Sequence, residues 1–250
     1  MATVILLRHG RTTANASGVL AGRLPGVHLD SVGRAQATLV AERLEDLTLS
    51  EVVSSPMARC RETTRLALGE RAAPAVRIEA GLAECDYGTW QGRPLKELAT
   101  EPLWATVQRQ PSHAVFPEGE SLRGMAHRAV DAVRRIDAEV TASAGSGAVW
   151  LAVSHGDIIK SVLADALGMH LDTFQRLAID PASVSVVRYG EQRPHVVCIN
   201  SHAGSLGWLQ PPQESGAAQE PSAANGSHEV PDPDETVGGG AGPQPLVPGA

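Results

Sequence analysis

The chain has 250 residues, 42% hydrophobic but only 3% aromatic, enough for one large or two small domains with a core of Leu, Val, Ile and Ala and no need of disulfides or a structural metal. The net charge of −7 is uneven: residues 210–250 hold six acids and no Lys or Arg, leaving 22 acids against 21 bases elsewhere. The acidity therefore belongs to the tail, and a nucleic-acid binder, which presents a basic face, is argued against.

In chain order, Thr3 to Leu7 is a short apolar run with β-branched residues, the pattern of a buried parallel strand. It is too short for a signal-peptide core or a membrane span. Cys60, Cys85 and Cys198 are odd in number and form no C-x-x-C pair, which points to a reducing compartment. A cytoplasmic protein with no membrane partner is expected. Ser31 is read as the cap of a helix to about Glu45, with Val32, Ala35, Leu39 and Val40 on one face. Glu51 to Ser54 reads as a strand, followed by a helix capped by Ser55 with Pro56 in its first turn. Ala75 to Glu79 is a further strand.

Ser121 opens the clearest helix, with Leu122, Met125, Ala126, Ala129, Val130, Val133, Ile136 and Val140 at helical spacing. Ala148 to Val153 is a fully apolar strand, and a helix from about Asp157 to Leu167 ends at Gly168. Ser183 to Tyr189 and His195 to Ile199 close the pattern. This β-α-β alternation predicts a three-layer α/β/α sandwich with a mainly parallel central sheet. The folded domain is expected over 1–209. Residues 210–250, with eight prolines and seven glycines, read as a disordered acidic tail.

Ligands of such sheets bind beyond the carboxyl ends of the strands. Four stretches put reactive side chains there. Arg8-His9-Gly10 follows the first strand, where Gly10 permits a sharp turn and close approach of an anion, and Asn15 can add a neutral donor. Arg59 falls in the first turn after Ser54-Ser55-Pro56 and suits a phosphate clamp. Glu84 lies in a loop with two large aromatics, where apolar neighbours raise a carboxyl pKa and make a proton donor; Asp86 competes for that role. Ser154-His155-Gly156-Asp157 repeats the strand-His-Gly pattern and opens a helix whose N-terminus favours anions. Taken singly, each stretch also reads as an ordinary strand end, surface arginine, solvated loop or helix cap.

Taken together, in this order, these stretches resemble the histidine phosphatase superfamily, the phosphoglycerate-mutase-like group. The resemblance is carried by Arg8-His9-Gly10-Arg11-Thr12-Thr13-Ala14-Asn15, Ser54-Ser55-Pro56 through Arg59, Glu84 with Tyr87-Gly88 and Trp90-Gln91-Gly92, Pro117-Glu118-Gly119-Glu120-Ser121, and Ser154-His155-Gly156. It implies a metal-independent enzyme without cofactor, acting on a small phosphorylated molecule. It implies that His9 attacks phosphorus through one ring nitrogen while a backbone carbonyl after the first strand holds the proton on the other. Arg8, Arg59 and His155 would surround the equatorial oxygens, and Glu84 would protonate the leaving oxygen. Thr12, Asn15, Gly22, Arg23 and Gly156 complete the implied binding set. One departure is Ala21, where many members carry Ser or Thr. Arg11 and Arg23 are expected to make the opening more positive and to suit an anionic substrate.

Hydrolysis is favoured over a phosphoglycerate-mutase-type reaction, because the segment between Gly92 and Pro117 is short and supplies only Arg93, Lys96 and Arg109. Trp90, Leu95 and Trp104 are candidates for the leaving-group pocket, with the core as the alternative. A cysteine phosphatase needs Cys-x5-Arg, but Leu66 and Gln91 stand at those positions. A metal-dependent site would set Arg8 against the metal. A non-catalytic phospholigand-binding protein would normally lack the nucleophile or the acid, and both are present.

Overall fold

A computed structural model describes residues 1–202, so the reading of 210–250 as a tail lies outside the described residues. Six strands form one sheet: β1 (Thr3–Arg8), β2 (Glu51–Ser54), β3 (Val76–Ile78), β4 (Val149–Ser154), β5 (Val184–Tyr189) and β6 (Pro194–Ser201), in the order β3-β2-β4-β1-β5-β6. The pairs β3/β2, β2/β4 and β4/β1 are parallel; β1/β5 and β5/β6 are antiparallel. The sheet is mainly parallel as expected, with an antiparallel edge that β-propensity does not announce.

Alternation along β1 divides the core. Val4 and Leu6 pack with Trp150, α6 (Leu122–Ala144) and α7 (Gly156–Ala166). Ile5 and Leu7 point the other way, to α2 (Ser31–Leu44) and α3 (Ala58–Leu68). The three-layer α/β/α architecture follows. Shorter helices α1 (Thr13–Ala16), α4 (Leu95–Leu98) and α5 (Pro102–Arg109) lie in the connections. Among the described residues no helix is long and apolar enough to cross a membrane.

Three local expectations are corrected. Helix α2 is capped by Asp30, whose Oδ1 accepts from Gly33 N at 2.7 Å; Ser31 is already helical. Its buried face is Gly33, Ala37, Val40 and Leu44, while Leu39 is exposed. The face is turned because Gly33 packs on the first loop: a Cβ there would lie 1.9 Å from the Arg11 carbonyl oxygen. Helix α3 starts after Pro56, at Ala58, with Met57 as its extended cap residue. Ser55 faces the site instead.

Candidate active site

The carboxyl ends of β1, β2 and β4 meet at one place, and His9, Arg59, Glu84 and His155 meet there with them. His9 directly follows β1, and its backbone is held from both sides. Its N–H donates to Ser154 O at 3.0 Å, and its carbonyl accepts from Ala182 N at 3.1 Å. The Gly10 N–H donates to Thr63 Oγ1 at 3.0 Å. A side chain at Gly10 is excluded, since its Cβ would lie 2.4 Å from Gly33 O. This is the close approach for which a glycine is needed.

Nδ1 of His9 is 2.8 Å from the Gly10 carbonyl oxygen. A carbonyl only accepts, so Nδ1 carries the proton and Nε2 the lone pair. Arg59 Nε donates to that lone pair at 3.2 Å. Arg59 Nη2 also reaches Gly22 O at 2.8 Å and His155 Nδ1 at 3.1 Å. Arginine has no acceptor, so His155 Nδ1 is the acceptor and its Nε2–H donates to Ser55 Oγ at 2.7 Å. The two imidazole centroids are 5.2 Å apart. Burial, then the Arg59 charge, pushes both histidines well below the usual imidazole pKa, so both are neutral in the unliganded site.

Glu84 is buried, with Oε1 accepting from Cys85 N at 2.9 Å and Oε2 3.8 Å from His155 Nδ1. Burial, reinforced by the Asp157 carboxylate, raises its pKa to about 7 against the opposing pull of Arg59. Asp157 is itself buried and accepts from Tyr87 OH at 2.7 Å. Asp86, the rival acid, turns to Gly88 N, Gln91 and Arg23, and does not line the cavity.

The loop carrying Glu84 is clamped from outside. Arg128 donates to the carbonyls of Gly81, Ala83 and Glu84 at 2.8 to 3.0 Å. Glu120 binds Arg128 at 2.6 Å, Arg23 at 2.8 Å and Asp86 N at 2.8 Å. Arg23 Nε donates to Glu84 O at 2.8 Å. Arg23 is therefore part of this clamp, and Arg11 is paired with Asp30 at 2.8 Å. The expectation that these two arginines leave the opening more positive is corrected: each is neutralised by an acid distant in sequence.

Thr12, Asn15 and Gly22 line the same cavity as His9, Arg59 and Glu84. Thr12 and Asn15 form a capping box on α1, with Asn15 Oδ1 accepting from Thr12 N, so the amide NH2 is the end Asn15 can offer an anion. Arg8 is fully buried at the end of β1 and donates to Ile179 O at 2.7 Å. Gly156 is the first residue of α7. Leu95 lines the cavity, whereas Trp90 and Trp104 stack on each other in the core. The cavity holds about 30 Å³, room for no more than a few waters.

Sequence reasoning missed Thr63, and named Ser55, Asp157 and Glu120 within motifs without giving them these roles. Thr63 follows Arg59 by one helical turn, which was a usable signal; the partner of Ser55 lies 100 residues away, and no local pattern shows it. Among the described residues no group of three or more His, Cys, Asp or Glu is placed to hold a metal ion.

Comparison with known proteins agrees with this geometry. A family model of the histidine phosphatase superfamily, branch 1, matches residues 4–202. A glucosyl-3-phosphoglycerate phosphatase of Mycolicibacterium vanbaalenii is 33% identical over 174 residues, 68% of this chain and 76% of that one. A protein of Yersinia enterocolitica named as a probable phosphoglycerate mutase is 30% identical over 193 residues, 76% of this chain and 86% of that one. The crystal structure of the α-ribazole phosphatase of Shigella flexneri superposes with a TM-score of 0.70 at 26% identity, covering 80% of this chain and 96% of that one. By its fold, its site and these matches, the chain belongs to the histidine phosphatase superfamily.

Proposed function

We propose that this chain is a phosphomonoester hydrolase that works through a phosphohistidine on His9 and acts on a small phosphorylated molecule. The reading is carried by one observation: the His9 Nε2 lone pair, with its proton fixed on Nδ1 by Gly10, faces a cavity that also holds Arg59 and the protonatable Glu84.

In the first step Nε2 of His9 bonds to phosphorus, and the bond from phosphorus to the leaving oxygen breaks. Glu84 gives its proton to that oxygen. The Arg59 donors now spent on His9 and His155 turn to the equatorial oxygens, with Arg8 adding positive charge and Asn15 an N–H donor. With an anion in place, His155 gains reason to take a proton and donate from Nδ1. Phosphoryl transfer asks the protein mainly for position and charge, and these fixed groups supply both. In the second step water attacks phosphorus, Glu84 takes its proton, and the P–N bond breaks to regenerate neutral His9.

The test is hydrolysis of p-nitrophenyl phosphate. Wild type turns over and His9→Ala does not; an acid-labile, alkali-stable phosphate is trapped on the wild type alone. Unchanged turnover in His9→Ala refutes the mechanism. The mutase reading has less support here, since Arg93, one of the three Lys and Arg residues of the 92–117 segment, is paired with Glu101 at 2.8 Å.

A further inference from the structure

We infer, on the strength of the hydrolase reading above, that the substrate is a phosphomonoester of an uncharged, partly apolar alcohol, and that esters with a second anionic group are discriminated against. The wall around the phosphoryl site is made of Ala14, Val19, Leu20, Ala21 and Leu95, with neutral polar groups between them. Arg59 and Glu84 are the charged side chains among the described residues that line the cavity. Arg59 is committed to the phosphoryl end by its bonds to both imidazoles.

Three arginines flank this wall in sequence, and each is already paired with an acid. Arg11 pairs with Asp30 at 2.8 Å. Arg23 pairs with Glu120 at 2.8 Å and lies 3.7 Å from Asp86. Arg93 pairs with Glu101 at 2.8 Å and lies 4.0 Å from Glu97. Lys96, next to Leu95, is exposed and does not line the cavity. A carboxylate or second phosphate on the leaving group would lose water against Val19, Leu20 and Leu95 and meet no unpaired cation among the described residues that line the cavity. Burying an unpaired charge is costly, and a site can select by leaving the wrong ligand's charge unpaired. An uncharged alcohol loses nothing of the kind and gains apolar contact.

The test compares substrates that share a skeleton and differ by one charge: glycerol 3-phosphate against 3-phosphoglycerate, and phenyl phosphate against 4-carboxyphenyl phosphate. In each pair kcat/KM is expected to be about tenfold or more higher for the uncharged leaving group. The preference persists in 0.5 M NaCl, because a local desolvation effect is not screened as long-range repulsion is. Leu95→Lys narrows or inverts the glycerol 3-phosphate to 3-phosphoglycerate ratio. Equal rates within the pairs, a preference for the carboxylated members, or a preference that vanishes in salt overturns the inference and leaves the hydrolase reading intact. No turnover of any ester, p-nitrophenyl phosphate included, overturns both.

Discussion

The Ser55 hydroxyl lies 2.7 Å from Nε2 of His155 and thereby leaves the opposite nitrogen, Nδ1, to accept from Arg59. Removing it frees the ring to rotate or change tautomer. Ser55→Ala should lower kcat about tenfold, the worth of one well-placed hydrogen bond at about 1.4 kcal/mol. Steady-state kinetics with p-nitrophenyl phosphate check this, with the melting temperature as a control that folding is retained.

The proposed acid role of Glu84 carries a pH dependence. Under the proposed mechanism its proton is needed in the first step, and its pKa is raised to about 7, so kcat/KM should fall as pH rises through about 7. In Glu84→Gln that alkaline limb disappears. Esters with poor leaving groups slow more than p-nitrophenyl phosphate, because only they need the proton. Equal slowing would move the acid role to another residue.

The same shift affects stability. The folded protein keeps the Glu84 proton between its unfolded value near 4.5 and about 7, so stability falls as pH rises through that window. Glu84→Gln should therefore melt higher than wild type at pH 8, with the advantage shrinking toward pH 4. Thermal scans at the two pH values decide it.

The clamp of Glu120 and Arg128 holds the backbone of residues 81–86 and not the reacting atoms. Arg128→Lys loses the fork that reaches three carbonyls and Glu120 at once. It should cut kcat about tenfold on poor leaving groups and less on p-nitrophenyl phosphate, copying Glu84→Gln in kind. A uniform loss across leaving groups would mean that the clamp serves stability alone.

Gly33→Ala tests the contact between α2 and the first loop. The new methyl would strike the Arg11 carbonyl, a backbone atom two residues from His9. A destabilisation of about 1–3 kcal/mol is expected from such overpacking, together with lost activity. Denaturant unfolding and turnover measure the two effects.

His9 and His155 were legible as site candidates because each follows an apolar β-run and precedes glycine, which puts it at a strand end. Arg59 was legible from its place after a strand and a proline. Composition of the loop left Glu84 and Asp86 as rivals and the family resemblance pointed to Glu84; in three dimensions one carboxyl is buried beside Asp157 and the other faces Arg23. The neutralisation of Arg23 could not be foreseen, since Glu120 is 97 residues away. The orientation of α2 was misread because hydrophobicity favours Leu39, whereas the close contact with the first loop selects Gly33 and Ala37. The antiparallel course of β5 escaped for a related reason: residue type reports burial of a strand but not its direction.

The stretch from Gly18 to Gly22 forms one wall of the cavity, and the main chain itself holds it in place. That stretch is latched to 92–95 by three backbone hydrogen bonds: Leu20 N to Arg93 O, Gly92 N to Leu20 O and Leu95 N to Gly18 O. Gly18 and Gly22, at φ +63° and +50°, turn the chain at its two ends. Bonds between main-chain atoms do not depend on which side chains stand at 19, 20 and 21, so evolution can vary the lining there without loosening the wall.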